Sequence, residues 1–288
     1  MRLRDILILV SVAFAWGFNF VVIKWSLLQF PPLLLTAMRF IVCAVPAFFV
    51  PRPKISGGRL LVIGVSLGIG VFGFLYLGIY FGLNPGIASV VMQSQVFFTL
   101  ILSSFVLGEA LSSQSMATVG LGSLGLCIIA LPGFTNSTGT GLILTICGAL
   151  CWAVANVAIR KAGGVKMFNV LVWMSFIPPV PLLLLSAMVE RPAFAELHFD
   201  MAGVGAILYT SLISTLLCYA VWGAQLHRYP VAKVAPFALL VPVFGLASAA
   251  IFLEQYPNLI QVIGTMLILT ALSLDLVLPK IRQLLITN

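Results

Sequence analysis

Long apolar segments follow one another along nearly the whole of this 288-residue sequence. Each is roughly 20 residues long, which is the length that an α-helix needs to cross about 30 Å of hydrocarbon. Hydrophobic residues make up 61% of the chain and charged residues only 8%, whereas a soluble domain carries about 25% charged residues. Because a water-soluble fold of this composition would aggregate, the sequence predicts an all-α integral membrane protein whose partner is the lipid bilayer.

The apolar segments predict ten transmembrane helices. They lie near residues 5–25, 31–50, 59–83, 86–108, 114–132, 139–159, 167–188, 201–226, 231–252 and 258–279. With the N-terminus in the cytoplasm, twelve of the fifteen Lys and Arg residues lie at cytoplasmic ends or loops, and only Lys24 and Arg191 lie outside. This bias follows the positive-inside rule, so we expect a multi-pass protein of the bacterial inner membrane with both termini cytoplasmic.

The net charge of +8 does not predict a nucleic-acid partner, because the basic residues do not gather on one soluble face. The five cysteines fall inside apolar segments and are interpreted as small packing residues. Neither a metal site nor a cofactor site is predicted, and a monomer is expected.

The two halves of the chain show internal similarity. Residues 13–24 (AFAWGFNFVVIK) and 150–161 (LCWAVANVAIRK) align on Trp16 and Trp152. A constant offset of 145 then pairs Gly78 with Gly223, Pro85 with Pro230, Val96 with Val241 and Glu109 with Glu254. Because each half contains an odd number of spans, the second half enters the membrane from the opposite side. The sequence therefore predicts two inverted five-helix repeats, residues 1–136 and 137–288.

Four stretches of sequence resemble one family of transporters. They are WGFNFVVIK in the first span, PPLLLTAMRF in the second, NPGIASVVMQSQVFFTLILSSFVLGE in the third to fourth, and APFALLVPVFGLASAAIFLE in the ninth. These residues resemble the EamA-type branch of the drug/metabolite transporters over nearly the full chain. The resemblance implies a ten-helix basket around a central cavity that faces the two sides of the membrane in turn. It also implies export of small amino-acid metabolites such as O-acetylserine and cysteine.

Polar side chains at mid-membrane depth are the first candidates for substrate binding, because a solute crossing hydrocarbon must exchange water hydrogen bonds for protein ones. Trp16 and Asn19 share one face of the first helix, and Trp152 and Asn156 repeat the pair in the sixth. Each asparagine could line the cavity or bond a neighbouring helix, and both alternatives stay open.

Gln93 and Gln95 are further candidates, but two residues turn an α-helix by about 200°. At most one of them is expected to face the cavity squarely, while the other bonds a neighbouring helix.

Arg39 is the only basic residue predicted well inside the membrane, where no acidic residue lies at a similar depth. A charge at the bilayer centre costs about 2.5 kcal/mol or more. The carboxylate of an amino-acid substrate is one counter-ion that would explain its position. The structural alternative is that Arg39 caps helix-end carbonyls or reaches water.

Aromatic and hydroxyl side chains could complete a pocket. Tyr76, Tyr219 and Trp222 are the candidates, whereas most of the others are interpreted as packing or interface anchors; those others are Tyr80, Trp173, Tyr209, Ser214 and Thr215. Glu109 and Glu254 end equivalent helices, which suggests a gating or helix-end role. The alternative is that both are carboxylates exposed to water. Because no Asp, Glu or His is predicted at mid-membrane depth, the sequence shows no proton carrier.

An enzyme and a channel are the alternatives to a carrier from other classes of function. An enzyme has one superficial match, the nucleophile-elbow pattern GVSLG at residues 64–68, but that motif requires a strand and a strained turn, and this one falls within an apolar helix. An exporter of drugs or aromatic amino acids is the main alternative within the transporters. A channel ranks below both, because inverted repeats are typical of carriers.

Overall fold

The computed structural model describes residues 1–108, 113–131, 137–190, 197, 200–229 and 234–286, and these residues contain helices and no strand. In chain order the helices are α1 (Leu3–Ser26), α2 (Pro32–Ala44), α3 (Gly57–Tyr80), α4 (Pro85–Leu107), α5 (Ser113–Ala130), α6 (Ser137–Ala162), α7 (Met167–Met174), α8 (Pro179–Val189), α9 (Met201–Leu226), α10 (Leu240–Leu253) and α11 (Leu259–Ile286). A 3-10 turn, Val45–Phe48, follows α2, and another, Ala235–Leu239, precedes α10.

Five of these helices are long and apolar enough to cross a membrane, namely α1, α3, α4, α6 and α9. The pair α7 and α8 passes the same test together, bent by 43° between them, and shorter apolar helices lie in α2, α5, α10 and α11. Large apolar side chains such as Phe48, Phe105 and Met201 are more than 80% exposed. Such surfaces suit contact with lipid rather than water, and the prediction of an all-α protein of apolar helices is confirmed.

The span predicted over residues 167–188 is broken rather than continuous. The helix stops at Met174 and restarts at Pro179. Pro178 and Pro179 cause the break, because a proline lacks the amide hydrogen of an internal helical bond and its ring clashes with the preceding turn.

Helices α3 and α9 each contain a π-helical stretch, Gly64–Val71 and Tyr209–Leu217. Hydroxyl side chains accompany both: Ser66 donates to Val62 O at 2.7 Å and Ser211 to Ile207 O at 2.7 Å. Such side chains compete with amides for the carbonyls of the preceding turn. The two stretches begin 145 residues apart (209 − 64). Two 3-10 turns show the same spacing at their ends. Met92–Ser94, inside α4, and Ala235–Leu239, before α10, end 145 residues apart (239 − 94).

Glycines allow the helices to approach closely where the bundle is tightest. A Cβ atom on Gly17 of α1 would lie 2.6 Å from Phe244 Cβ on α10, which real structures do not allow. Helices α5 and α11 cross in the same way at Gly125 and Gly264. Helix α1 therefore packs directly on α10, and both helices bring side chains to the cavity described next.

Candidate functional site

A cavity of about 280 Å³ lies among helices from both halves of the chain. Its walls contain nine of the ten side chains predicted from the sequence to bind substrate: Trp16, Asn19, Arg39, Gln93, Gln95, Trp152, Asn156, Tyr219 and Trp222. The tenth, Tyr76, does not line the cavity itself, and its hydroxyl accepts a hydrogen bond from Arg39. Phe20, Phe72 and Met92 are apolar wall residues that the sequence reasoning did not single out.

Arg39 is 1% exposed, and it is the only charged residue among the described residues that line the cavity. Its Nε and Nη2 atoms donate to Thr215 Oγ1 at 2.9 and 2.6 Å, and Nη1 donates to Tyr76 Oη at 2.9 Å. The guanidinium carbon also lies 3.8 Å from the centre of the Phe72 ring, a cation–π contact. All of these partners are neutral, so the positive charge has no carboxylate beside it among the described residues.

The structural alternative for Arg39 is incomplete, because the described hydrogen bonds of its guanidinium go to side-chain hydroxyls rather than to helix-end carbonyls. The interpretation of Thr215 as a packing residue is also incomplete. The sequence signal that was missed is the hydroxyl-rich stretch of α9, since a buried guanidinium without an acid needs hydroxyl or carbonyl acceptors.

The π-helical stretch of α9 shapes this wall. Thr215 Oγ1 donates to Thr210 O, five residues earlier, at 2.8 Å, and this bond orients its lone pairs toward Arg39. Trp16 Nε1 donates to the backbone oxygen of Ser214 at 2.8 Å, which ties α1 to α9. π-helical geometry is rare and occurs frequently at functional sites.

Both glutamines of α4 line the cavity, where at most one was expected to face it squarely. The 3-10 turn Met92–Ser94 is the reason, because it turns the chain by about 120° per residue instead of 100° and brings the two side chains closer in direction. Each glutamine also bonds another helical segment. Gln93 Nε2 donates to Ala238 O at 3.3 Å, and Gln95 Oε1 accepts from Asn156 Nδ2 at 2.7 Å.

The two asparagines differ in their bonding. Asn156 also donates to Thr99 Oγ1 at 3.1 Å, so it both lines the cavity and connects α6 to α4. Asn19 is 5% exposed, and its Oδ1 atom has no hydrogen-bond partner among the described residues.

Aromatic rings form one side of the cavity. The Trp16 ring centre lies 5.1 Å from that of Tyr219 and 5.2 Å from that of Trp222. These spacings are typical of favourable aromatic pairs. The rings offer a flat apolar surface opposite the polar amides.

Of the two acidic candidates for gating, Glu254 does not line this cavity. Glu254 is exposed at the end of α10, with φ +55° in the left-handed region. Glu109 lies outside the described residues.

Acidic side chains instead connect helix ends away from the cavity. Asp5 at the start of α1 is 5% exposed and accepts from the Tyr229 hydroxyl at 2.7 Å. This hydrogen bond raises the pKa of Tyr229, which lies just beyond α9. Glu190, at the end of α8, accepts from the free amides of Leu33 and Leu34 at the start of α2, at 2.9 and 3.1 Å.

Comparison with known proteins decides the family. The model of the EamA-like transporter family matches residues 3–131 and 139–276. The chain belongs to the EamA-like transporter family. It is a membrane transporter and not an enzyme, and Ser66 of the GVSLG pattern donates its hydroxyl to Val62 O inside a π-helical stretch.

Two bacterial relatives within this family match the chain over nearly its full length. A Salmonella typhimurium protein named "Probable amino-acid metabolite efflux pump" is 36% identical and covers 98% of each chain. An Escherichia coli protein of the same name is 34% identical over 96% of this chain and 95% of its own length. A solved crystal structure superposes on 98% of this chain, over 99% of its own length, with a TM-score of 0.66. At 18% identity it shows a shared fold alone.

Proposed function

We propose that this protein exports small amino-acid metabolites, such as O-acetylserine and cysteine, through the cavity described above. The observation that carries the proposal is Arg39, a buried cation on the cavity wall that has only neutral partners among the described residues. A substrate carboxylate would supply the missing negative charge and would offset the cost of burying the guanidinium. Gln93, Gln95, Asn19 and Asn156 would complete the polar contacts.

The cavity, of about 280 Å³, has room for a small solute such as an amino-acid metabolite. The aromatic cluster of Trp16, Tyr219 and Trp222 is the one observation that favours the second candidate function, export of aromatic amino acids.

We also propose that ten spans form two inverted repeats, residues 1–136 and 137–288, with both termini in the cytoplasm. The offset of 145 between the two π-helical stretches and between the two 3-10 turns supports the repeat. Gln93 bonds Ala238, its own equivalent at this offset, as expected for residues beside a twofold axis. Transport then proceeds as one unit tilts against the other and opens the shared cavity to each side in turn. Reporter fusions at the two termini test the topology, and activity on opposite sides of the membrane would contradict it.

The substrate proposal is tested by efflux from proteoliposomes that contain the purified protein. The vesicles are loaded with O-acetylserine, cysteine, phenylalanine or tryptophan, with and without an imposed pH gradient, and protein-free vesicles are the control. We expect saturable efflux of the two small solutes. Efflux of the aromatic amino acids alone would favour the second candidate function, and efflux of none of the four would overturn the proposal.

A further inference from the structure

The orientation of the Gln93 amide is fixed by the partner that it bonds. Gln93 is 9% exposed, and its Nε2 atom donates to the backbone oxygen of Ala238 at 3.3 Å. A carbonyl oxygen can only accept a hydrogen bond, so the nitrogen of the amide must face it. The remaining atom, Oε1, is therefore an acceptor. It is not one of the buried atoms without a partner, and it is open to the cavity that Gln93 lines.

Asn19 offers a second amide on the same cavity. Its side chain is 5% exposed, yet its Oδ1 atom has no hydrogen-bond partner among the described residues. A buried acceptor without a partner costs about 1–3 kcal/mol, so such atoms call for an explanation. Oδ1 is closed off from the cavity in this structure. A half-turn about the Cβ–Cγ bond exchanges Oδ1 and Nδ2 with almost no change in shape and would bring the oxygen to a solute.

The charges on the cavity wall limit what these acceptors can bind. Arg39 is the only charged residue among the described residues that line it, so a solute ammonium finds no carboxylate there. Neutral oxygens are then the hydrogen-bond acceptors left for an N–H donor that carries a positive charge, and hydrogen bonds to charged groups are the stronger ones. The acceptors Gln93 and Asn19 lie on α4 and α1, whereas the donor Arg39 lies on α2. The acceptors and the donor therefore belong to different walls of the cavity.

We propose that Gln93 Oε1 and the Asn19 amide bind the α-ammonium group of the solute, so that the protein selects zwitterionic α-amino compounds over simple carboxylates. This inference rests on the proposed function, in which Arg39 binds the carboxylate. The carboxylate and the ammonium group of an amino acid are then bound by different residues. The rings of Trp16, Tyr219 and Trp222 are left to contact the side chain.

Ligand binding to the purified full-length protein tests this division of roles. Trp16, Trp152 and Trp222 line the cavity, so intrinsic fluorescence follows the titration. Three matched ligands are used: S-methyl-L-cysteine, its analogue without the amino group, 3-(methylthio)propanoate, and its analogue without the carboxylate, 2-(methylthio)ethylamine. Because the ammonium adds at least one charged hydrogen bond, we expect S-methyl-L-cysteine to bind about tenfold or more tightly than 3-(methylthio)propanoate.

Gln93→Met and Asn19→Leu separate the ammonium site from general packing. Each substitution is expected to lower the affinity for S-methyl-L-cysteine and to leave that for 3-(methylthio)propanoate within about threefold, because only the first ligand carries the ammonium. A purely structural role would weaken both ligands equally. Gln114→Met is the matched control, since Gln114 Nε2 makes the same kind of bond, to Leu274 O at 2.9 Å, away from the cavity.

The outcomes distinguish this inference from the function on which it rests. Equal affinity of the wild-type protein for S-methyl-L-cysteine and 3-(methylthio)propanoate would overturn the ammonium site alone, whether or not the variants fold. Tight binding of 2-(methylthio)ethylamine, equal to that of S-methyl-L-cysteine, would overturn the carboxylate role of Arg39. Binding of none of the three would overturn both proposals.

Discussion

Replacing Thr215 with valine tests how Arg39 is held, because valine has nearly the same shape but no hydroxyl. Thr215 Oγ1 is the acceptor for both Nε and Nη2 of Arg39, so the change removes two of the three hydrogen bonds of the guanidinium. Hydrogen bonds to charged groups contribute about 1.5–3 kcal/mol. Water in the cavity can replace part of this, so we expect roughly 1.4 kcal/mol, or about a tenfold rise in Kd for S-methyl-L-cysteine.

The assay is the same fluorescence titration, and two further variants make it specific. Thr215→Ser keeps the hydroxyl and is expected to bind like the wild-type protein. Thr36→Val removes a buried hydroxyl from the helix that carries Arg39, but that hydroxyl bonds only Pro32 O, at 2.7 Å, within its own helix. If Thr215→Val weakened 2-(methylthio)ethylamine as much as S-methyl-L-cysteine, or acted no more strongly than Thr36→Val, Thr215 would have no role in positioning the cation.

Two predictions concern stability. Gly17→Leu is expected to prevent folding or to lower the thermal midpoint strongly, because any Cβ at this position meets Phe244. Gly205→Leu is the control and should fold, because a Cβ at that position has nothing within 4 Å. Equal midpoints of the two variants in a fluorescence-detected melt would refute the packing argument. Tyr229→Phe removes the hydroxyl that bonds Asp5 and should lower the free energy of unfolding, because the Asp5 carboxylate loses this hydrogen-bond donor. An unchanged denaturation midpoint would show that this contact does not hold α1 against the end of α9.

The helical, apolar character of the chain could be predicted because it depends on composition and segment length, which need no tertiary information. The candidate residues around the cavity were also found from sequence, since polar groups are rare in apolar spans and costly to bury without purpose. Trp16, Asn19 and Arg39 stand out for this reason alone.

The partners of these residues could not be predicted, because they depend on local departures from α-helical geometry. The 3-10 turn at Met92–Ser94 brings Gln93 and Gln95 to one cavity, and ideal helix geometry predicts the opposite. The π-helical stretch of α9 places Thr215 against Arg39, and helix propensities carry no term for that conformation. The prolines indicate that the helix breaks between α7 and α8, but they do not predict the angle of 43° between the two parts.

Counterflow through reconstituted protein tests most directly whether this cavity carries an amino-acid metabolite. Uptake of labelled cysteine into vesicles preloaded with unlabelled cysteine should saturate and exceed uptake into empty vesicles, as a carrier requires. Arg39→Gln should raise the half-saturating concentration roughly 30-fold or more, because it removes the charged partner of a buried carboxylate. Counterflow by Arg39→Gln with an unchanged half-saturating concentration would contradict the account.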